Sequence, residues 1–258
     1  MTDRPRSTRA RLGRSTLAGL PTTAPAERTA GRQLALPMAA EERRPARAEP
    51  LPEVVHLAGW LTLDEQRALV ADFRRWALPP AGLRRPRVPT GHLMHVQSVC
   101  LGWHWQPYAY SRTADDTDGA PVKPMPSALI ALARRAVADA YGARSAAARS
   151  FAPDAAIVNL YAPDTHLGLH RDAEEPSDAP VVTLSLGDTA LFRFAGVERR
   201  TGPFTDVELA SGDLLVFGGA NRRIYHGVPR LRPGTAPVGL GLAEGRLSLT
   251  VRETGLAG

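Results

Sequence analysis

His170-Arg-Asp172 sets two metal-binding side chains one residue apart, at the end of the stretch Asn159-Leu-Tyr-Ala-Pro-Asp-Thr-His-Leu-Gly-Leu-His170-Arg-Asp172. On an extended backbone residues i and i+2 point to the same side, so the imidazole and the carboxylate can converge on one ion. Seven His and fourteen Asp in 258 positions supply about 0.4 such pairs by chance, so the pair carries weight only with a third ligand.

His226 offers that ligand. It is the only His after Asp172, in Arg-Ile-Tyr-His226-Gly-Val-Pro, and it follows a strand-like run ending at Phe217 and a Gly-Gly turn. Two imidazoles and one carboxylate on one face leave three coordination positions open, the arrangement with which non-haem Fe(II) oxygenases admit a cosubstrate and O2. His166 with His170 has the spacing of a zinc pair, but that pairing needs a helix, and Gly168 in a strand-and-turn setting argues against one. An anion site accompanies the metal ligands. In Arg246-Leu-Ser-Leu-Thr-Val-Arg252 the polar residues alternate with Leu247, Leu249 and Val251, which puts an Arg at each end of one face. Facing inward, the two guanidinium groups need an anion, and a small dicarboxylate could take one at one end while its other end reaches the metal. On periodicity alone the two Arg also fit the surface of an edge strand. Asn159 and Tyr161, again i and i+2, can add hydrogen bonds from the opposite wall.

The elements that carry these residues are legible from period and punctuation. Ala155–Tyr161, Val181–Leu186, Ala190–Phe194, Asp213–Phe217 and Arg246–Arg252 are short strand-like runs separated by Gly, Pro and Asp, which predicts a sandwich or jelly roll. Before them, Thr62-Leu-Asp-Glu65 fits a capping box opening a helix, with Leu69, Phe73 and Trp76 as its core stripe and Pro79-Pro80 as its stop. A second helix is predicted from Pro126-Ser127, with Leu129, Leu132, Ala136, Val137 and Tyr141 inward and Gly142 closing it. The fold class is therefore mainly β with flanking helices (α+β), in three parts: an Arg-rich tail over 1–49, an N-terminal helical and extended region over 50–149, and the β core over 150–258.

Composition narrows the setting. The 43% hydrophobic content suffices for a core, no apolar run reaches eighteen residues, and the Arg-bearing opening lacks the apolar heart of a signal peptide. The single cysteine, Cys100, rules out an internal disulfide and suits a reducing compartment, so a cytoplasmic protein with no membrane contact is expected. The net charge of +6 sits wholly in residues 1–48, where ten Arg face four acids; the remainder carries 22 charges of each sign. Such a stretch, poor in large apolar residues, is expected to be disordered and to hold a polyanion in a salt-dependent way. Its composition also fits an organelle transit peptide or an inert tail.

Taken in order, Asn-x-Tyr-x-Pro-x6-His-x-Asp, Pro-Val-Val-Thr-Leu-Ser-Leu-Gly187, Phe-Arg-Phe, Gly-Asp-Leu-Leu-Val-Phe-Gly-Gly219, Tyr-His-Gly227 and Arg-x5-Arg closely resemble the bacterial AlkB-type 2-oxoglutarate and Fe(II)-dependent dioxygenases, over roughly residues 50–255. The resemblance implies a double-stranded β-helix (jelly-roll) core with an N-terminal nucleotide-recognition lid. It implies Fe(II) on His170, Asp172 and His226, with 2-oxoglutarate and O2 as cosubstrates. Arg246 then corresponds to the residue that pairs with the distal carboxylate of 2-oxoglutarate and Tyr161 to its neighbour, while Asn159 and Arg252 match positions at the metal-proximal end. Ser248 stands where the family often has Asn. Trp103, Tyr108 and Tyr110 resemble the lid that holds the damaged nucleotide, though the loop between Trp103 and Tyr108 is shorter than in well-known relatives. Glu174 and Arg199 match positions near the substrate base.

The activity implied is oxidative demethylation of N-alkylated bases such as 1-methyladenine and 3-methylcytosine in DNA, with RNA as a further substrate, formaldehyde release and a monomeric enzyme. The target must be single-stranded or flipped out, and stacking on Trp103 or His226 would hold it. Two alternatives stay open: a 2-oxoglutarate-dependent oxygenase acting on protein or a small molecule, and a non-catalytic nucleic-acid-binding jelly roll.

Overall fold

The computed structural model describes residues 45–256. The Arg-rich segment up to residue 44, and every expectation attached to it, lies outside them. The described chain opens with β1 (Ala46–Leu51), β2 (Val54–Ala58), α1 (Leu63–Trp76), β3 (Gln97–Leu101), β4 (His104–Gln106) and β5 (Ala109–Ser111). It continues through α2 (Ser127–Tyr141), α3 (Ala146–Ser150), β6 (Ala155–Tyr161), β7 (Leu167–His170), β8 (Val181–Gly187) and β9 (Thr189–Phe194). The last elements are β10 (Thr205–Leu209), β11 (Leu214–Phe217), β12 (His226–Arg232) and β13 (Arg246–Arg252). None of the described helices is long and apolar enough to cross a membrane.

Strands β6 to β13 divide between two sheets as a jelly roll does. Four of them, β11, β8, β13 and β6, form the centre of a seven-stranded sheet in the order β1-β2-β11-β8-β13-β6-β3, and the other four form a smaller sheet, β10-β9-β12-β7. The boundary expected near residue 150 is no break in the fold, because β2 and β3 hydrogen-bond into the same sheet as the core strands. Order also begins before residue 50. The strand β1 pairs with β2, and Arg47 Nη1 donates to the Ala140 carbonyl near the end of α2 at 2.7 Å. Its sequence, Ala-Arg-Ala-Glu-Pro-Leu, alternates only small Ala with charged residues and has no β-branched or aromatic side chain, so the pairing is what marks it as a strand.

The large sheet has a different role on each face. On one, Leu247, Leu249 and Val251 of β13 join Val158, Leu184 and Val216 under the helices, against Leu69 and Phe73 of α1 and Leu129 and Val137 of α2. Thr62 caps α1 in the reciprocal box with Glu65, and α2 ends at Gly142 with φ 88°. On the other face, Tyr161, Leu215 and Phe217 meet Phe192, Phe194 and Val228 of the small sheet. The second face carries Arg246, Ser248, Thr250 and Arg252, so the β13 alternation that the sequence shows separates core from site. With β8 on one side and β6 on the other, β13 is central and the edge-strand reading of its Arg pair fails.

Candidate metal centre and substrate cavity

His170 ends β7 and His226 begins β12, and the two are direct partners across that antiparallel pair. Their rings lie 4.5 Å apart between centroids. Gly227 permits this approach: a Cβ there would stand 2.7 Å from the Leu167 carbonyl oxygen on β7. Asp172, two residues past β7, completes a group whose ligating atoms all lie within 4.8 Å of one another. Each ring donates its Nδ1 hydrogen to a backbone carbonyl, His170 to Gly168 at 3.0 Å and His226 to Ile224 at 2.9 Å. That bond fixes the tautomer and leaves both Nε2 lone pairs toward Asp172, each 3.9 Å from a carboxylate oxygen. Burial, helped by the neighbouring His170, pushes His226 down to about 4, so it stays a neutral ligand. Burial alone would raise Asp172, but Arg252 and the two imidazoles outweigh it and hold the carboxyl at about 2. The rival His166 does not join the group; β7 is extended rather than helical, and the His166 ring rests 4.6 Å from that of His95.

The anion wall stands beside the metal ligands. Arg246 is fully buried, its Nε donates to Ser185 Oγ at 2.9 Å, and its guanidinium carbon lies 5.2 Å from the Tyr161 ring centroid. Arg246 pairs with Tyr161 and Ser248 with Asn159 across β13 and β6, so the four share one face, as the spacing implies. The Asn159 side-chain oxygen accepts from Ser98 Oγ at 2.6 Å.

Arg252 belongs to a buried charge cluster that sequence reasoning missed in part. Its Nη2 comes within 2.7 Å of Asp172 Oδ2, as an ion pair off the line of a hydrogen bond, and its Nη1 donates to Glu175 Oε1 at 2.7 Å. The other Glu175 oxygen lies 3.4 Å from Arg222 Nη2, and Arg222 Nη1 donates to the backbone carbonyl of Asp172 at 3.3 Å. Neither Glu175 nor Arg222 was singled out from the sequence. Two adjacent acids, Glu174-Glu175, and two adjacent bases, Arg222-Arg223, offered no means of choosing the inward member.

A cavity of about 390 Å³ opens over His170 and Asp172. Asn159, Glu174 and Arg252 line it, with Trp105, Tyr108 and Tyr225 as its aromatic groups. Where the lid is expected, the hairpin β4-β5 stands at the cavity, a two-stranded sheet of its own with Pro107-Tyr108 as its turn. Its aromatic residues are placed differently from expectation. Tyr108 stands at the tip, 70% exposed, with φ 73°. Trp103 is buried away from the cavity, donating Nε1 to Asp154 Oδ2 at 3.1 Å with the Arg112 guanidinium over its ring; the shortened loop puts Trp105 at the cavity instead. Tyr110 turns inward, and its hydroxyl donates to Glu175 and lies 3.0 Å from Arg252 Nη1. Arg199 is exposed outside the cavity lining, which takes its neighbour Arg200. His226 offers no free face to a base, since Phe192 stacks on it at 5.5 Å and Phe217 covers another side at 5.1 Å.

The description "2OG-Fe(II) oxygenase superfamily" matches residues 53–252. The chain is also 38% identical over 178 residues to the alpha-ketoglutarate-dependent dioxygenase AlkB of Escherichia coli (strain K12), across 67% of this chain and 77% of that protein. This chain belongs to the AlkB-type 2OG-Fe(II) oxygenases. It is 34% identical over 220 residues to the DNA N(6)-methyladenine demethylase ALKBH1D of Arabidopsis thaliana, across 78% of this chain and 49% of that protein, so it spans about half the length of that plant relative. A solved structure of OsALKBH1 superposes with a TM-score of 0.68 at 32% identity, covering 81% of this chain and all of the other. The residues present fit the family's Fe(II), 2-oxoglutarate and O2. Among the described residues, Arg246 Nη1 and Nη2, Arg252 Nε and Asp172 Oδ2 are buried with no hydrogen-bond partner. Three guanidinium nitrogens without partners, beside a carboxylate oxygen whose one close neighbour, Arg252 Nη2, is off the line of a hydrogen bond, suit a dianionic cosubstrate next to a cation, since leaving such groups unpaired is costly. Within this AlkB-type chain they are the strongest sign of what the site holds.

Proposed function

We propose that this chain removes N-methyl groups from nucleobases in DNA, and in RNA as a second substrate, on single-stranded nucleic acid or a flipped-out base. The observation that carries the reading is the cavity beside the His-Asp-His group: it has room for one nucleobase, aromatic walls in Trp105, Tyr108 and Tyr225, and exposed Arg171 and Arg200 at its lining. The guanidinium carbons of Arg171 and Arg200 lie 5.4 and 5.3 Å from the Tyr225 ring centroid. Neither has a carboxylate partner among the described residues, whereas Arg193, Arg223 and Arg232 are paired with Asp206, Asp178 and Glu208. Unpaired cations at the mouth of a nucleobase-sized cavity favour a phosphate backbone over a neutral small molecule.

In this reading His170, Asp172 and His226 hold Fe(II). Arg246 takes the distal carboxylate of 2-oxoglutarate with Tyr161 and Ser248 beside it, and Arg252 and Asn159 stand at the metal-proximal end. Bound Fe(II) and 2-oxoglutarate supply the oxidant: O2 is consumed, 2-oxoglutarate becomes succinate and CO2, and one oxygen atom goes to the methyl group. The hydroxymethyl product then divides into formaldehyde and the free N–H of the base. The chain positions the base. Trp105 offers a ring face in place of Trp103 and His226, Tyr225 forms the wall on which Arg171 and Arg200 rest, Glu174 offers a carboxylate at the base edge, and Tyr108 guards the mouth. Tyr110 serves the lid from its inner side, and Arg199 stands near the strand rather than at the base. The lone buried Cys100 suits the reducing cytoplasm, and the enzyme is taken to act as a monomer.

The test is mass spectrometry of single-stranded oligonucleotides carrying 1-methyladenine, 3-methylcytosine or N6-methyladenine, incubated with Fe(II) and 2-oxoglutarate. Loss of the methyl mass from at least one is expected. Unchanged masses, together with succinate formed in response to a protein or metabolite, would favour the other oxygenase reading.

A further inference from the structure

Glu175 has no role in the site reading above, and the inward Tyr110 has only a place in the lid. Glu175 is 1% exposed and does not line the cavity over His170 and Asp172. One of its oxygens takes Arg252 Nη1 at 2.7 Å and the Tyr110 hydroxyl, and the other faces Arg222 at 3.4 Å. Arg222 is also anchored elsewhere, through Nε to the Ala179 carbonyl at 2.7 Å. Arg252 is therefore shared. On one side stand Glu175 and Tyr110, on the other the Asp172 oxygen that also faces His226 Nε2.

Sharing matters because Asp172 can spend that oxygen on a metal or on a guanidinium, but not fully on both. A buried carboxylate with no competitor would draw Arg252 onto itself, since an unpaired charge in a dry interior is costly. Glu175 offers Arg252 a second negative partner, and Tyr110 bonds to both members of that pair. Tyr110 is also the one described member of this group that belongs to the lid hairpin. The base of the hairpin is held separately: His104 Nε2 lies 2.6 Å from Asp116 Oδ1, and Arg84 Nε lies 3.2 Å from both Asp116 oxygens.

We infer that Glu175 and Tyr110 are positioning residues that share Arg252 and keep its contact with Asp172 to one oxygen, off the line of a hydrogen bond, so that the carboxylate keeps its reach toward the metal and the seated lid hairpin helps to set the strength of the metal site. The inference rests on the proposed reading only in taking His170, Asp172 and His226 as metal ligands. When glutamine replaces Glu175, Arg252 and Arg222 lose their shared negative partner and Arg252 turns its off-line contact with Asp172 into a full hydrogen bond. When Tyr110 lacks its hydroxyl the same shift follows, more weakly.

The test uses the full chain and Co(II) titrated without oxygen, followed by visible absorption, then 2-oxoglutarate added to the Fe(II)-loaded protein under the same conditions. Glu175→Gln is expected to bind Co(II) about 10- to 100-fold more weakly, the usual cost of losing a partner behind a metal ligand. Tyr110→Phe is expected to lose about 3- to 10-fold, as one hydrogen bond to a charged group allows, and to shift the absorption of the Fe(II) and 2-oxoglutarate complex. Tyr110→Phe carries the decision, because it leaves every buried charge matched and is expected to keep its melting temperature. Wild-type Co(II) affinity and an unshifted spectrum in folded Tyr110→Phe would overturn the inference. Failure of the wild-type chain to bind Co(II) at all would instead overturn the metal-site reading, and a wild type that binds metal but demethylates nothing would overturn only the choice of substrate.

Discussion

At the metal end of the site Asp172, Glu175, Arg222 and Arg252 are all buried and each touches an opposite charge, whereas at the mouth Arg171 and Arg200 are exposed, flank one tyrosine ring and touch no carboxylate. The same chemical group, the guanidinium, thus serves opposite ends. Inside, guanidinium and carboxylate neutralise each other and fix geometry, and changing one strands the rest. Outside, the guanidinium groups keep water as their partner and can exchange it for an anion brought by a substrate. The backbone divides differently: of the inner groups only Arg252 hangs on a strand, β13, while Asp172 and Glu175 follow β7 and Arg222 lies in the turn before β12; the lid is a hairpin with three residues in each strand.

The comparison breaks most completely at Asp172. Asp172→Ala removes the one carboxylate among the metal ligands, and formaldehyde release should fall by more than the roughly 100-fold typical of losing an outer partner. Undiminished turnover would mean that the metal sits elsewhere. Arg246→Lys comes next. A point charge replaces the fork whose two terminal nitrogens are unused, so the KM for 2-oxoglutarate should rise by about 10-fold or more with kcat nearly kept at saturation. An unchanged KM would take the cosubstrate away from β13.

Acid should weaken the inner end before any exposed pair matters. His226 is neutral in the folded chain down to about pH 4, but takes up its proton from about 6.5 when unfolded. Stability therefore falls as pH drops from 6.5 to 4, by about 3 kcal/mol from this group. Asp172 is depressed from 3.8 to about 2, so its share is present above 3.8 and is lost below that. Thermal scans of the metal-free protein between pH 7 and 4.5 should show the decline, and a flat melting temperature would contradict the buried neutral imidazole.

At the outer end the effects are smaller. Tyr108 occupies the second corner of a Pro-Tyr turn with φ 73°, a position usually left to glycine. Relief of about 1 kcal/mol of backbone strain in Tyr108→Gly should offset the added chain entropy, so the melting temperature should hold while the KM for a methylated oligonucleotide rises about fivefold. Lost stability with an unchanged KM would make Tyr108 structural. Smallest of all, Arg171→Gln and Arg200→Gln should each lower the salt slope of oligonucleotide binding by about 1, with turnover of a methylated nucleoside unaffected. An unchanged slope would show that the two cations do not meet phosphate.

The inner end was the legible one because strand period encodes face. Arg246, Ser248 and Arg252 against Leu247, Leu249 and Val251, and Asn159 with Tyr161, fall as a period of two requires. Strand β12 was not legible, since Pro229 interrupts its run and its register with β9 shifts between Gly227 and Arg230. Strand β7 has only four residues, and Gly168 weakens it further; β10 does alternate, Val207 and Leu209 against Asp206 and Glu208, but carries only two apolar residues. The lid was read as a region but not residue by residue. A hairpin of three-residue strands carries no register signal, so the resemblance put Trp103 where the cavity has Trp105, and Arg199 where it has Arg200. Glu175 escaped for another reason: its partners come from residues 110, 222 and 252, and no local pattern announces a contact over such separations.

The central claim is that the buried charge end and the aromatic mouth work on one methylated base. It is tested most directly by measuring succinate and formaldehyde together during turnover of a single-stranded oligonucleotide carrying 1-methyladenine. Equal amounts of the two, with both falling to background on the unmethylated strand, are the expected result. Succinate formed at the same rate with either strand, and no formaldehyde from the methylated one, would contradict it.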